Sequence, residues 1–308
     1  SSIYLIDAQA AFDASVDACL LVCDTLEGQQ DQACRVYESL APSAAETIFG
    51  YRDHQLIASV EYYERWKSLE DGAGNAYRWR SGIKHDCSRV MELTQEKNGF
   101  RNKLGELYDL ETTCLYPMLK SSDVANKKDP RPSRWMLVTQ RAIGEDTTPI
   151  QYTAPKTWAY LIDHAELLDK RKSSIYKGRP RFSIFGVGEY SFSPWKVAIS
   201  GLYKKLHFAL VGPNAGKPVV LDDTCYFIPC QSKEEARYLL ELLNSEAAEE
   251  FLRSFIFWDA KRPITVSVLK KLSLVALARE LGTEDSIRDF LLSNSFSDSP
   301  RQLPLFNV

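Results

Sequence analysis

The stretch Asp169–Lys205, DKRKSSIYKGRPRFSIFGVGEYSFSPWKVAISGLYKK, carries nine Lys or Arg against two acids, Asp169 and Glu189. It also marks where the chain changes character. Just upstream, TWAYLIDHAELLDKRKSS (157–174) places Trp158, Leu161, Ile162, Ala165 and Leu168 at helical intervals, so this apolar stripe predicts a core-facing helix with its basic residues at the C-terminal end. Downstream, FSIFGVG (182–188), KVAISGL (196–202), HFALVG (207–212) and PVVLDDTCYFIPC (218–230) read as strands, with a turn at GPNAG (212–216). A helix that hands over to consecutive strands predicts an α+β fold: a mixed or antiparallel sheet with packed helices.

Working outward, SKEEARYLLELLNSEAAEEFLRSF (232–255) predicts one or two helices, with Ser232 as N-cap and Glu235 completing a capping box. ITVSVLKKLSLVAL (264–277) reads as a strand, or as a helix followed by a strand, and SNSFSDSPRQLPLFNV (293–308) as a loose tail. Toward the N-terminus, RWMLVTQ (134–140) is a strand, and DLETTCLYPMLKSSDVAN (109–126) reads as a short helix capped by Asp109. IFGYRDHQLIASV (48–60) is hairpin-like, and VEYYERWKSLED (60–71) is a short helix. SIYLIDA (2–8) and VDACLLVC (16–23) read as strands, with ACRVYESL (33–40) returning antiparallel to the second. The opening strands look like the edge of a larger sheet, and a chain that starts without Met inside an element is expected to be part of something longer.

The 308 residues have a net charge of −3, so any polyanion-binding surface must be local. No apolar run approaches the roughly 20 residues needed to span a bilayer, and the N-terminus lacks a signal-peptide pattern. The expected location is cytoplasmic, with no membrane partner. Seven Cys at irregular spacing, several in apolar runs, are expected to be reduced and mostly buried. No Cys-x-x-Cys pair exists, so no metal ligand is assigned.

The only Gly-x-Gly, Gly186-Val-Gly188, lacks a third glycine and reads as a strand bend rather than a nucleotide loop. GPNAGKP (212–218) lacks the spacing of a phosphate loop and reads as a hairpin turn. His85 and Cys87 are close in sequence, but a thiol nucleophile needs its base close in space. The basic block is different. Lys and Arg neutralise phosphates, and Arg can read guanine. Its aromatic residues read chiefly as core.

RWRSGIKHDCSRVMEL (78–93), LYPMLKSSD (115–123), RKSSIYKGRPRFSIFGVGEYSFSPWKVAISGLYK (171–204) and LDDTCYFIPC (221–230) resemble the C-terminal part of adenine-specific DNA methyltransferases of restriction–modification systems, including enzymes that fuse methylation with restriction. The LLNS helix and the sequence after it (236–274) are similar to the unit that ends their target-recognition domains. The resemblance runs to about residue 280. It implies that residues 1–65 are the terminal strands and connector of a methyltransferase domain, the hairpin remnant of its α/β sheet. It further implies a target-recognition domain over 66–284 and a flexible tail over 285–308. The family's S-adenosylmethionine loop and its Asn-Pro-Pro-Tyr or Asp-Pro-Pro-Tyr motif are absent, since Asp129-Pro130 is followed by Arg-Pro. No catalytic residue is therefore assigned. S-adenosylmethionine is expected in the full-length parent but not in this chain, and the methyl-transferring domain, with any nuclease, is expected to be N-terminal in the same polypeptide.

Double-stranded DNA is the partner that the resemblance implies. Lys170, Arg171, Lys172, Lys177, Lys204 and Lys205 are the expected phosphate contacts. Arg179, Arg181 and Tyr190 are the expected base or groove contacts, helped by Ser173 and Ser174. A second patch is expected from Arg78, Arg80, Lys84 and His85, with Lys120, Ser121 and Ser122. Two competing readings are a module docking an acidic protein and an enzyme in its own right, either a metal-dependent nuclease or a thiol hydrolase built on His85 and Cys87.

Overall fold

The computed structural model describes residues 1–23, 32–41, 47–70, 77–126 and 130–294. The chain opens with β1 (Ser2–Ile6), α1 (Ala8–Phe12), β2 (Ala18–Val22), β3 (Ala33–Tyr37), β4 (Thr47–Arg52), β5 (Gln55–Ile57) and α2 (Val60–Trp66). These five strands form one sheet in the order β2-β1-β3-β4-β5. The β4–β5 hairpin forms as the sequence predicts: Asp53 and His54 both take positive φ, 46° and 63°, as the tight two-residue turn requires. The expected antiparallel return of residues 33–40 onto β2 is corrected. β3 pairs in parallel with β1, while β1 pairs antiparallel with β2.

Then follow β6 (Arg80–Ser81), α3 (Ser88–Met91), β7 (Glu92–Glu96), β8 (Gly99–Asn102), β9 (Leu107–Tyr108), β10 (Leu115–Leu119), α4 (Ser121–Asn126) and β11 (Arg134–Leu137). Next come α5 (Ile150–Thr153), α6 (Pro155–Asp163), α7 (Ala165–Asp169), β12 (Trp195–Ser200), β13 (Phe208–Val211), β14 (Val220–Leu221) and β15 (Cys225–Cys230). The chain continues through α8 (Lys233–Leu243), α9 (Glu246–Arg253), α10 (Val266–Leu269), α11 (Leu274–Glu280) and α12 (Glu284–Asn294). A six-stranded sheet runs β14-β10-β11-β7-β8-β9, and a four-stranded antiparallel sheet runs β13-β12-β15-β6. The fold is α+β, as expected.

Three apolar clusters hold these layers. One packs α8, α9 and α11 against β12 and β15, with Leu239, Phe251, Val197 and Ile228 buried. A second packs α5–α7 and residues 182–187 against the six-stranded sheet, with Leu161, Leu168, Ile184 and Met136 buried. A small third cluster, including Leu119, Val124 and Phe227, joins the two sheets.

Several local expectations change. Residues 115–119 are strand β10, not helix: Leu115, Met118 and Leu119 are fully buried in mid-sheet, and Pro117 disfavours a helix interior. FSIFGVG does not form a strand, because Phe182 and Gly186 take φ of 66° and 67°. PVVLDDTCYFIPC breaks into β14 and β15 at the turn around Asp222. ITVSVLKKLSLVAL forms two helices, since the Thr265 and Ser273 hydroxyls accept from Val268 N–H and Ala276 N–H as N-caps. At α8 the capping box is shifted by one residue: Ser232 accepts from Glu235 N–H, but the Glu235 carboxylate accepts from Gln231 N–H. Cys34, Cys225 and Cys230 are buried, whereas Cys19 and Cys23 are exposed. Residues 295–308 lie outside the described residues, and α12 occupies the start of the stretch expected to be a tail. No helix among the described residues is long and apolar enough to cross a membrane.

Candidate nucleic-acid interface

Two glycines bring distant basic segments together. A Cβ on Gly82 would sit 2.0 Å from the Asp222 carbonyl oxygen, and one on Gly186 would sit 2.3 Å from the Gly82 carbonyl oxygen. Only glycine fits either place. The close approach lets Lys84 N–H donate to Phe185 O at 2.8 Å and Phe185 N–H donate to Lys84 O at 2.9 Å. Residues 84–89 thereby lie beside the block that follows α7. A cleft of about 560 Å³ opens between them, lined by Asp86, Arg89, Lys170, Arg171, Lys172 and Ser173 among others.

The cations of the block divide into tied and free. Arg171 is a tied one. Its Nε donates to Leu168 O at 2.8 Å, and its Nη1 donates to Ser183 O at 2.7 Å and to His85 O at 3.2 Å. Its guanidinium lies 3.7 Å from the Tyr176 ring centre. With those donors committed, Arg171 is a strut joining the two walls of the cleft. Arg181 forms a forked pair with Asp169, at 2.6 and 3.3 Å. Lys170 pairs with Glu166 one turn back, an exposed pair of little energetic weight. Lys172, Lys177 and Arg179 are exposed and have no ion pair among the described residues. Ser173 lines the cleft, and Ser174 begins a short 3-10 turn.

Two residues of the second patch, His85 and Lys120, meet one carboxylate. Glu92 is 3% exposed. It accepts from Lys120 Nζ at 2.5 Å and Lys103 Nζ at 2.6 Å, and His85 Nε2 lies 3.4 Å away. His85 Nδ1 accepts from Cys87 N–H, so in a neutral ring the proton sits on Nε2, facing Glu92. Burial alone would raise the Glu92 pKa. The hydrogen bonds from His85, Lys103 and Lys120 outweigh it and hold the pKa down to about 2. Burial pushes the Cys87 thiol up, away from the thiolate that a nucleophile needs. Ser121 is buried, with its hydroxyl donating to Thr224 O at 2.8 Å. Lys84 lies 3.5 Å from Asp86, and Arg80 stacks 4.5 Å from the Tyr190 ring centre. Arg78 is exposed, and Ser122 is half-buried. Lys204 and Lys205 follow β12, at the opposite end of that strand from Tyr190. Neither lysine lines the cleft, and Lys204 Nζ lies 3.7 Å from Asp259.

The aromatic residues serve mainly as platforms. Phe182 is core, yet Arg181 lies over its ring, as Arg171 does over Tyr176 and Arg80 over Tyr190. Two cations escaped the sequence reading. Arg89, on α3, lines the cleft and has no side-chain partner among the described residues. Arg141, just past β11, lies 4.1 Å from the Phe192 ring centre. Neither belongs to a charge run. A search for a cation next to an aromatic platform would have needed the tertiary pairing.

No protein-family profile matches the chain. Over 279 residues it is 47% identical to the type II methyltransferase M.NspV of Nostoc sp. (strain ATCC 29411 / PCC 7524), matching 91% of this chain and 58% of that protein. The chain thus spans well under two thirds of the length of this curated relative. Among solved structures, it aligns with the type IIL restriction-modification enzyme MmeI, determined in complex with DNA, at 13% identity and a TM-score of 0.43. That alignment covers 88% of this chain and 39% of that one.

Proposed function

We propose that this chain is the sequence-specific duplex-DNA recognition part of an S-adenosylmethionine-dependent, adenine-N6 DNA methyltransferase of a restriction–modification system. The observation that carries this reading is the cleft between residues 84–89 and 170–173, with its free cations. Arg171 is spent holding the two walls together, while Lys172 and Arg89 stand free on them and Lys177 and Arg179 follow in the same exposed loop. In a chain of net charge −3, such a rim suits the phosphates of a duplex. Homology to a type II methyltransferase over nine tenths of the chain supports the same reading.

Methyl transfer, S-adenosylmethionine binding and any cleavage belong, in this proposal, to other parts of the polypeptide. The N-terminal sheet is suited to meet them, because Leu20, Leu21 and Val22 on its β2 edge are exposed. Phosphate contact would come from Lys170, Lys172, Lys177 and Arg89, with Arg179 entering the groove.

The test is fluorescence anisotropy of the chain on random-sequence duplex DNA across a salt series. Binding should weaken steeply with salt. Changing Lys172, Lys177 and Arg179 together to Gln should lower the log–log slope by up to ~0.9 per lost contact. Tight binding that is insensitive to salt would sink this reading, as would a triple variant with an unchanged slope. Capture of acidic peptides with no DNA binding would favour the protein-docking alternative.

A further inference from the structure

Beyond the cleft, the loop after β11 holds one arginine in an unusually prepared state. The loop is fastened at both ends. Thr139 Oγ donates to Phe182 O at 2.7 Å, and Gln140 Oε1 accepts from Ile184 N–H at 2.9 Å, with both side chains buried. At its far end the Glu145 carboxylate accepts from Arg141 N–H at 2.6 Å and Ala142 N–H at 3.0 Å. Gly144, within the same loop, faces the Arg179 guanidinium: a Cβ there would lie 3.8 Å from Nη1. The loop is therefore continuous with the cation rim already described.

Arg141 rises from this rigid base. Its guanidinium is stacked on Phe192, whose ring centre lies 5.0 Å from that of Tyr116, and its Nη1 donates to the Tyr116 hydroxyl at 3.3 Å. The fork of Nε and Nη2 meets the two oxygens of Glu189, each at 3.4 Å. Both side chains are largely exposed, at 52% and 82%. A long, exposed pair of this kind adds little to stability and separates readily. What persists is an arginine whose plane is fixed by an aromatic face and whose fork already addresses two parallel acceptors. Guanine presents the same arrangement in the major groove through N7 and O6, and the paired cytosine presents an N4 amine that a carboxylate accepts.

We propose that Arg141 and Glu189 together read one G·C base pair through the major groove, Arg141 turning its fork from Glu189 to guanine and Glu189 accepting from cytosine. They would be specificity-determining residues distinct from the phosphate-binding lysines. The proposal rests on the DNA-recognition reading above and adds to it the base that one site takes. An A·T pair does not match the arginine fork, because adenine N7 is flanked by the N6 donor and thymine presents the single acceptor O4 beside a methyl group.

The experiment is selection from a pool of labelled duplexes with a randomised central stretch, captured on the immobilised chain and sequenced. It is run for wild type, Arg141→Ala, Arg141→Lys and Glu189→Gln. Wild type should return a site with a fixed G·C pair. Arg141→Ala should relax that position by about tenfold to a hundredfold while preference elsewhere persists. Arg141→Lys should relax it too, since an ammonium keeps the charge but not the fork. Glu189→Gln should weaken discrimination at the same pair. Rescue by lysine, relaxation spread evenly over every position, or an unchanged site would each overturn the proposal. If wild type binds the pool in a salt-dependent way without any base preference, the reading pair falls and the DNA-binding cleft stands. If it binds no duplex at all, both fall.

Discussion

Arg171 and Lys172 are neighbours in the most basic run of the chain, yet they do different work. Arg171 gives hydrogen bonds to three carbonyls on two segments, and Lys172 points to solvent. Arg171→Ala should therefore cost stability, about 2–4 kcal/mol, by leaving the Ser183 and His85 carbonyls without their charged donor. Lys172→Gln should shift stability by less than ~0.5 kcal/mol and act on DNA affinity alone. Chemical denaturation of the two variants separates these roles, and equal destabilisation would contradict them. Glu92 gives a pH dependence. Its folded pKa of about 2 lies below the ordinary 4.5, so its contribution is complete above pH ~4.5 and is lost as the pH falls toward 2. The contribution is on the order of 3 kcal/mol. Glu92→Gln should be less stable at neutral pH and should lose much of the acid sensitivity. If urea midpoints of variant and wild type fall in parallel between pH 5 and 2, another group is responsible.

At the scale of elements, the decisive contact is the pairing of Lys84 with Phe185, which Gly82 and Gly186 make possible. Gly186→Ala should be destabilising by at least ~2 kcal/mol, since a methyl group there meets both a positive φ and a carbonyl at 2.3 Å. It should also weaken DNA binding, because the two walls of the cleft separate. A melting temperature equal to that of wild type would refute the close approach. The Ser232 cap and the 48–60 hairpin were legible in the sequence. Ser232 with Glu235, and the Asp53-His54 turn, act through neighbours a few residues away. By contrast, residues 115–119 and the second half of 264–277 depart from the sequence expectation, because short apolar runs fit helix and strand equally well. Mid-sheet burial decided the first and hydroxyl caps the second.

For the molecule as a whole, the N-terminal sheet stands apart in its surface. Successive residues of a strand face opposite sides, so exposure of Leu20, Leu21 and Val22 leaves both faces of β2 bare at a sheet edge. A bare apolar edge recruits other chains. The chain alone should therefore associate as its concentration rises in sedimentation velocity, and Leu21→Lys should suppress this. A wild-type chain that stays monomeric at all concentrations would show that the edge is already protected.

The sequence by itself determined the α+β class, the helical character of 157–168 (which divides at His164 into α6 and α7), the capped helix after Ser232 and the presence of a basic segment in a mildly acidic chain. These follow from composition and from contacts a few residues apart. It did not determine which cations are free. That depends on carbonyls and carboxylates contributed from elsewhere in the chain: Glu92 takes Lys103 and Lys120, and Ser183 and His85 take Arg171. Nor did it single out Arg141, whose platform, Phe192, and partner, Glu189, lie about fifty residues away and meet it only in the folded chain. A charge gains its role from the partners that folding brings to it, and those long-range pairings exist only in the tertiary structure.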